Sequence, residues 1–267
     1  MSLQALNTGA TGMIGQSRNL DVIANNLANV GTDGFKKSRA NFEDLLYKKV
    51  KVPGAGVVGA PDTPGIGIEY GVGTRVSATQ LNFTPGTIRP TGRQLDIAIN
   101  GPGFLQVDDG QGNFFYTRSG NLTLNSQGQV IMATATRGYV LQPPVIIPQD
   151  SLSISITADG QVAVTQPNVN QPQVIGQFNG VRFQNPEGLE QVGQNLFVET
   201  GASGVAEPGI FGQQGFGQIQ QSFLEASNVE PVEELISLIT SQRAYEINSQ
   251  VIQTANENLR TVGTLRQ

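Results

Sequence analysis

The sequence predicts an α+β protein: a discontinuous, coiled-coil-type α-helical domain made by the two termini, with a Gly-rich, mainly antiparallel β domain between them. Three observations lead there. One apolar stripe of heptad spacing opens the chain and a second closes it. The residues between the stripes are rich in glycine and in short runs of alternating apolar residues. Heptad spacing puts apolar side chains along one helical seam, whereas alternation with a period of two belongs to a strand.

The first element is a helix over about Ser2 to Ala28, whose stripe runs Leu3, Leu6, Ala10, Met13, Ser17, Leu20, Ala24, Leu27 with gaps alternating between 3 and 4. Gly9, Gly12 and Gly15 interrupt it, each costing about 1 kcal/mol relative to alanine. Such a helix is poorly populated alone, and its glycines let a neighbouring helix come close. Val30 to Gly34 then end it at an Asp-Gly turn, and Phe35 to Tyr47 resume as helix or extended chain.

From Lys48 to Arg75 the composition shifts to Val, Gly, Ala and Pro, including Pro53, Pro61 and Pro64. No core can form from that, so the segment reads as a flexible loop or as an extended arm ordered on neighbours. Leu95, Ile97 and Ile99, alternating with Asp96, Ala98 and Asn100, mark a half-buried strand. Further strands are expected at 104–107, 114–118, 122–124, 130–132, 139–141, 152–157, 162–165, 174–178 and 197–199. Asp109-Gly110, Gln127-Gly128, Asp159-Gly160 and Asn179-Gly180 supply positive-φ turn positions.

The closing helix starts near Asn228, read as its N-cap, with Pro231 in the first turn and Glu233 and Glu234 at the positive end of the dipole. It contains no Gly or Pro from Val232 until Gly263, and its stripe runs Ala244, Ile247, Val251, Ala255, Leu259, Val262, Leu265. Each exposed Leu, Ile or Val forfeits roughly 1.5–3 kcal/mol of burial. The termini should therefore meet each other, other subunits, or both; periodicity fits an intramolecular helix pair and intersubunit packing alike. The boundaries read from composition are 1–46 for the N-terminal helical segment, 47–90 for the arm, 91–222 for the β domain and 223–267 for the C-terminal helix.

Composition excludes most catalytic chemistry. The 267 residues contain neither cysteine nor histidine, which removes disulfides, thiolate nucleophiles, Ser-His and Cys-His pairs and the usual zinc ligands. The net charge is −5, and Lys36, Lys37, Lys48, Lys49 and Lys51 form the one basic grouping, so nucleic acid is a poor partner. Asp108, Asp109, Glu187, Glu190 and Glu199 are the acid-base candidates, a glycosidase-like pair among them being conceivable. Acids flanking turns are far more often solvated. The run Asp108 to Gly112 lacks the spaced oxygens of a calcium loop, and Gly65, Gly67, Gly71 and Gly73 lack the strand-loop-helix frame of a phosphate site. No metal or cofactor is expected. The opening residues carry no basic or continuous apolar segment of a cleavable signal peptide, and no stretch approaches a membrane span.

The wording of the sequence then narrows the reading. IANNLANVGTDGFK, Ile23 to Lys36, closely resembles the N-terminal signature of the flagellar rod and hook axial proteins, at Asn25, Asn26, Leu27, Ala28, Asn29, Gly34 and Phe35. SNVEPVEELISLITSQRAYEINSQVIQTANENL, Ser227 to Leu259, resembles the family's C-terminal signature, including Arg243, Ala244 and Tyr245. LDIAINGPGFLQV from Leu95, YTRSGNLTLNSQGQV from Tyr116 and ITADGQVAV from Ile156 resemble its shared β domain. FEDLLY, Phe42 to Tyr47, with the Pro/Gly stretch to Arg75, is similar to the distal-rod branch. The opening MSLQALNTGATGMIGQ matches in register but not in detail, and Thr134-Ala135-Thr136 is a local variation.

The resemblance implies a structural subunit and no enzyme. It implies self-assembly into the rigid distal rod that crosses the periplasm and transmits torque from motor to hook. Implied partners are other copies of the chain, other rod subunits, the hook protein and the surrounding ring proteins, with no small-molecule substrate. It also implies passage through the flagellar type III export apparatus, for which Phe42 to Leu46 resembles a Phe-x-x-x-apolar element. The terminal stripes, Leu3, Leu6, Ala10, Met13, Leu20, Ala24 and Leu27 with Ala244, Ile247, Val251, Ala255, Leu259, Val262 and Leu265, would then form the subunit interface, and the arm would lock neighbours against bending. The rival readings are a proximal rod subunit of the same family and, from another class, a carbohydrate-acting β protein.

Overall fold

The computed structural model describes residues 2–51, 67–133, 137–167, 171–213 and 215–264, without the side chains of residues 2, 3 and 51. The side chain of Leu3, all of Leu265, residues 52–66 of the expected arm and Thr134–Thr136 lie outside that set. Two compact units form, each discontinuous in sequence: Met1–Leu27, Ser38–Gln80 and Glu230–Gln267 make the first, Ala28–Lys37 and Leu81–Val229 the second. These bounds differ from those read by composition, because strand pairing between distant segments, rather than residue content, decides which segments cohere.

The first unit contains helix α1 (Ser2–Ala28) and helix α2 (Pro231–Thr264), roughly 40 and 50 Å long at ~1.5 Å per residue. Strand β1 (Ser38–Asp44) follows α1, so the segment after the Asp-Gly turn is extended, not helical. Strands β2 (Tyr47–Lys51) and β3 (Ile68–Gly71) pair antiparallel, and β4 (Thr74–Leu81) pairs with β1. Gly15 of α1 lies against the Phe42 ring of β1, where an added Cβ would sit 3.1 Å from it.

The second unit is a β structure. Its strands are β5 (Ile88–Pro90), β6 (Ile97–Asn100), β7 (Phe104–Asp108), β8 (Phe114–Thr117), β9 (Leu122–Leu124), β10 (Val130–Met132), β11 (Val140–Gln142) and β12 (Ser153–Ile156). They continue with β13 (Gln161–Thr165), β14 (Gln173–Gln177), β15 (Asn179–Arg182), β16 (Glu190–Gly193), β17 (Leu196–Val198), β18 (Glu207–Ile210), β19 (Gln218–Gln221) and β20 (Phe223–Glu225). The main sheet runs β16-β17-β8-β7-β11-β10-β9, with β15 joining β7 to β18; β12, β13 and β14 form a meander beside it. All registered pairs are antiparallel.

One core cluster gathers Ile97, Leu105, Leu141, Val162 and Phe178, and a second is aromatic, with Phe104, Tyr116, Phe183 and Phe197. Two expectations change here. Strand β6 is buried on both faces, Asp96 and Ala98 included, so its alternation does not mark a solvated side. Asn179-Gly180 is no turn: both residues sit inside β15, paired with Ile210 and Gly209. A Cβ on Gly180 would lie 3.0 Å from the Phe211 and Phe216 rings, so the glycine serves packing rather than positive φ.

Candidate functional site

Within the first unit, α1 and α2 run antiparallel along a seam of small and polar residues. A Cβ on Gly9 would fall 2.9 Å from Ile252, and one on Gly12 would fall 3.0 Å from the Asn248 amide. Further along, Asn19 Nδ2 donates to Ser241 Oγ at 2.8 Å, Ile23 is buried, and Asn26 Nδ2 donates to Glu234 Oε2 at 3.3 Å. The glycines let the backbones close in, and the amides and hydroxyl satisfy one another across a contact too tight for paired leucines.

Asn26 also fixes the chain that follows α1. Its Nδ2 donates to Ser38 O at 2.8 Å and its Oδ1 accepts from Ser38 N at 2.9 Å, which imitates a strand pairing at the start of β1. One buried signature asparagine therefore ties α1, α2 and β1 together.

The seam at 9, 12, 19, 23 and 26 lies one residue, about 100° of helix, away from the stripe at Ala10, Met13, Leu20, Ala24 and Leu27. Leu6, Ala10, Met13, Leu20 and Leu27 are half-buried at its flank, and Ala24 is exposed. On α2, Ala255 is buried and Ala244 and Leu259 are half-buried, whereas Ile247, Val251 and Val262 are exposed.

The exposed group is larger than those three. Val232, Leu235, Ile236 and Ile239 sit at i, i+3, i+4 and i+7 of α2 and are 45–69 % exposed, and Ile247 is 62 % exposed. Ser241, buried in the seam, lies nine residues from Val232, about 180° around the helix. α2 is thus two-sided: one narrow polar face meets α1, and an apolar face points away from it.

The second unit takes in the other half of the N-terminal signature. Gly34 has φ of +75°, and a Cβ there would stand 2.8 Å from Ser119 N. Its N–H donates to Glu225 O at 2.8 Å, Arg89 pairs with Asp33 at 2.5 Å, and Asn195 Nδ2 donates to Asp33 O at 3.1 Å. Lys36 follows into the interior, its Nζ donating to Glu225 Oε1 at 2.6 Å and to Thr84 O at 2.8 Å. Gly86 N donates to the same Glu225 oxygen at 3.0 Å. Arg118 stands with Nε 3.7 Å from Glu225 Oε2 while donating to Gly101 O and Gly103 O at 2.8 Å.

The side chains of Lys36 and Glu225 are 0 % and 1 % exposed, so Lys36 is no member of a basic surface group. Burial pulls the Lys36 ammonium below its ordinary pKa, opposed by Glu225 and reinforced by Arg118. Burial likewise lowers Arg118, opposed by Glu225. Sequence reasoning missed this cluster. Its signal was a single charged residue inside each of three Gly- and apolar-rich phrases, GFK, TRSGN and FLEASN.

The carboxylates weighed for chemistry serve the fold. Asp108 Oδ1 accepts from Gly110 N and Asp109 Oδ1 from Gln111 N, both at 2.8 Å, closing the β7–β8 hairpin. Those hydrogen bonds, led by the one from Gln111, hold Asp109 below the usual carboxylate range. Glu199 accepts from the Tyr116 hydroxyl at 3.4 Å, and burial, then Glu199, pushes Tyr116 up to about 12. Asn228, expected as the N-cap of α2, is instead a clamp: its Oδ1 accepts from Lys37 N and its Nδ2 donates to Asn82 O, both at 2.8 Å. α2 begins three residues later at Pro231, whose missing donor and fixed φ suit the first helical turn.

These features fall where sequence comparison finds known families. Residues 6–36 match the family described as flagella basal body rod protein, residues 98–164 the flagellar hook protein FlgE/F/G D1 domain, and residues 220–265 the flagellar basal body rod FlgEFG protein C-terminal region. The chain is 42 % identical over 264 residues to the flagellar basal-body rod protein FlgG of Caulobacter vibrioides, covering 99 % of this chain and 100 % of that one. It is 40 % identical to FlgG of Borreliella burgdorferi, covering 99 % of each chain, and 34 % identical to FlgG of Bacillus subtilis, covering 99 % and 100 %. The chain belongs to the flagellar basal-body rod protein family, as a structural subunit of the rod and not an enzyme. Within that family it is most like FlgG.

Proposed function

We propose that copies of this chain polymerise through their terminal helices into the rigid distal rod, which crosses the periplasm and transmits torque from motor to hook. The observation that carries this reading is the second face of α2, with Val232, Leu235, Ile236, Ile239 and Ile247 left exposed after the seam with α1 has formed. Apolar side chains at this spacing gain roughly 1.5–3 kcal/mol each when a facing surface covers them. Where the covering surface is a different patch of the next copy and the rotation does not close, an open helical filament results.

The interface takes in Ile247, Val251 and Val262 on that face, with Leu6, Ala10, Met13, Leu20, Ala24 and Leu27 along the flank of α1; Ala244, Ala255 and Leu259 support it from nearer the seam. Leu3 and Leu265 extend the two stripes. Other rod subunits, the hook protein and the ring proteins are its neighbours, and the flagellar type III apparatus exports it without a cleavable signal. Its relatives' names as basal-body rod proteins support this reading.

The test is the double variant Ile236→Asp/Ile247→Asp, expressed in cells that lack the native copy. Purified basal bodies should lack the rod segment that this chain builds, while the isolated variant keeps the unfolding transition of its β unit. Basal bodies with rods of normal length would remove the outer face of α2 from the interface.

A further inference from the structure

The second unit carries a small aromatic cavity that neither the rod assignment nor the helix faces use. It measures about 190 Å³ and is walled by Phe83, Phe104, Phe183, Pro102 and Pro186, with Arg182 at its rim. The rings hold one another edge-on, Phe83 to Phe104 at 5.4 Å and Phe104 to Phe183 at 5.7 Å, so the walls are set before anything enters. Arg182 is turned outward, where its Nη2 meets Glu207 Oε2 at 3.1 Å. Rigid aromatic and proline walls of this kind accept the rings of an extended proline-bearing segment, whose ordering entropy is already low.

The chain contains one Pro-x-x-Pro spacing, Pro61-Asp62-Thr63-Pro64. In a polyproline II segment of three residues per turn, such prolines share one edge and leave the two residues between them to solvent. The flanks of this stretch return to a common point, since Lys51 and Ile68 are partners at the end of the β2–β3 hairpin. At ~3.4 Å per residue, a loop of that length reaches out by at most about 25 Å, a distance suited to spanning from one packed subunit to the next. We propose that the Pro61–Pro64 segment of one copy docks in the Phe83/Phe104/Phe183 cavity of a second copy, cross-linking subunits within the polymer. The proposal rests on the reading of the chain as a self-assembling subunit and specifies the receptor for its arm.

The test starts from full-length chain whose residues 52–66 are replaced by a Gly/Ser linker of equal length, titrated with a fluorescent peptide of residues 52–66. Saturable binding is expected, weakened about tenfold or more by Pro61→Ala/Pro64→Ala in the peptide and by Phe83→Ala in the chain. Absence of saturable binding, or equal affinity for the alanine peptide, overturns the proposal. Repeating the titration on the Ile236→Asp/Ile247→Asp background separates it from the assembly reading, because peptide binding needs no polymer. The chain has no cysteine, so mixing Thr63→Cys protein with Pro186→Cys protein under mild oxidation identifies the donor. Disulfide between unlike chains supports docking onto a second copy, whereas a crosslink confined to single chains that carry both substitutions overturns it.

Discussion

The two units solve the problem of burial in opposite ways. In the β unit, side chains from strands far apart in sequence close completely over one another: Ile97, Leu105, Val107, Leu122 and Leu141 are all 0 % exposed. Even its charges are internal, with Lys36, Arg118 and Glu225 neutralising one another inside the fold. The helical unit buries glycine, asparagine and serine along its seam and leaves valines, leucines and isoleucines of α2 outside. One unit is complete as a monomer, and the other has an apolar face still to cover. A polymer subunit needs both, a body that holds its shape and a surface whose burial waits for neighbours.

The comparison breaks most severely if the interior charges of the β unit are unpaired. Lys36→Met leaves Glu225 buried beside Arg118 without its shortest partner, and removing one member of a buried pair costs on the order of 3–5 kcal/mol. The urea midpoint of the β-unit transition should fall accordingly. A midpoint within error of the unsubstituted chain would show that the cluster contributes nothing to the body's completeness.

A smaller effect is expected from Asn26→Ala in the helical unit, where one amide serves Ser38 and Glu234 together. Each unsatisfied buried group left behind costs about 1–3 kcal/mol, and the loss should appear as faster amide exchange in α1 and α2 with the β-unit transition in place. If both units lost stability equally, they would not be separate cooperative bodies.

The smallest effect is a pH dependence confined to the β unit. Tyr116 rises from 10.0 to about 12 in the folded chain, so between those values the native state holds a proton that the unfolded state has released. Stability is therefore full below pH 10 and declines as pH rises toward 12, by up to roughly 3 kcal/mol for a shift of that size. Tyr116→Phe should flatten this limb of the unfolding profile. An unchanged slope in the variant would mean that another group is titrating.

Much of the architecture was legible beforehand, and the misses share a cause. Both helices, the hairpin turn at Asp109-Gly110 and ten strand positions follow from periodicity and turn chemistry, which act over a few residues. The half-buried strand at Ile97–Asn100 and the turn at Asn179-Gly180 failed because burial and close packing by Phe211 and Phe216 are contributed from elsewhere in the chain. Lys36 failed for the same reason: beside Lys37 it reads as a surface base, and only Glu225 and Thr84, remote in sequence, make its burial tolerable.

By itself the sequence determined the helical termini, the β character of the middle and, through the wording of both signatures, membership among rod proteins. Tertiary structure alone decided which face of each helix becomes the seam. Heptad spacing marks where apolar side chains recur, but the closest approach goes to the row with the least bulk and the best-matched hydrogen bonds. In α1 that row is Gly9, Gly12, Asn19 and Asn26. It lies one residue from the apolar stripe, and its preference becomes visible only when α2 supplies Asn248, Ser241 and Glu234 opposite.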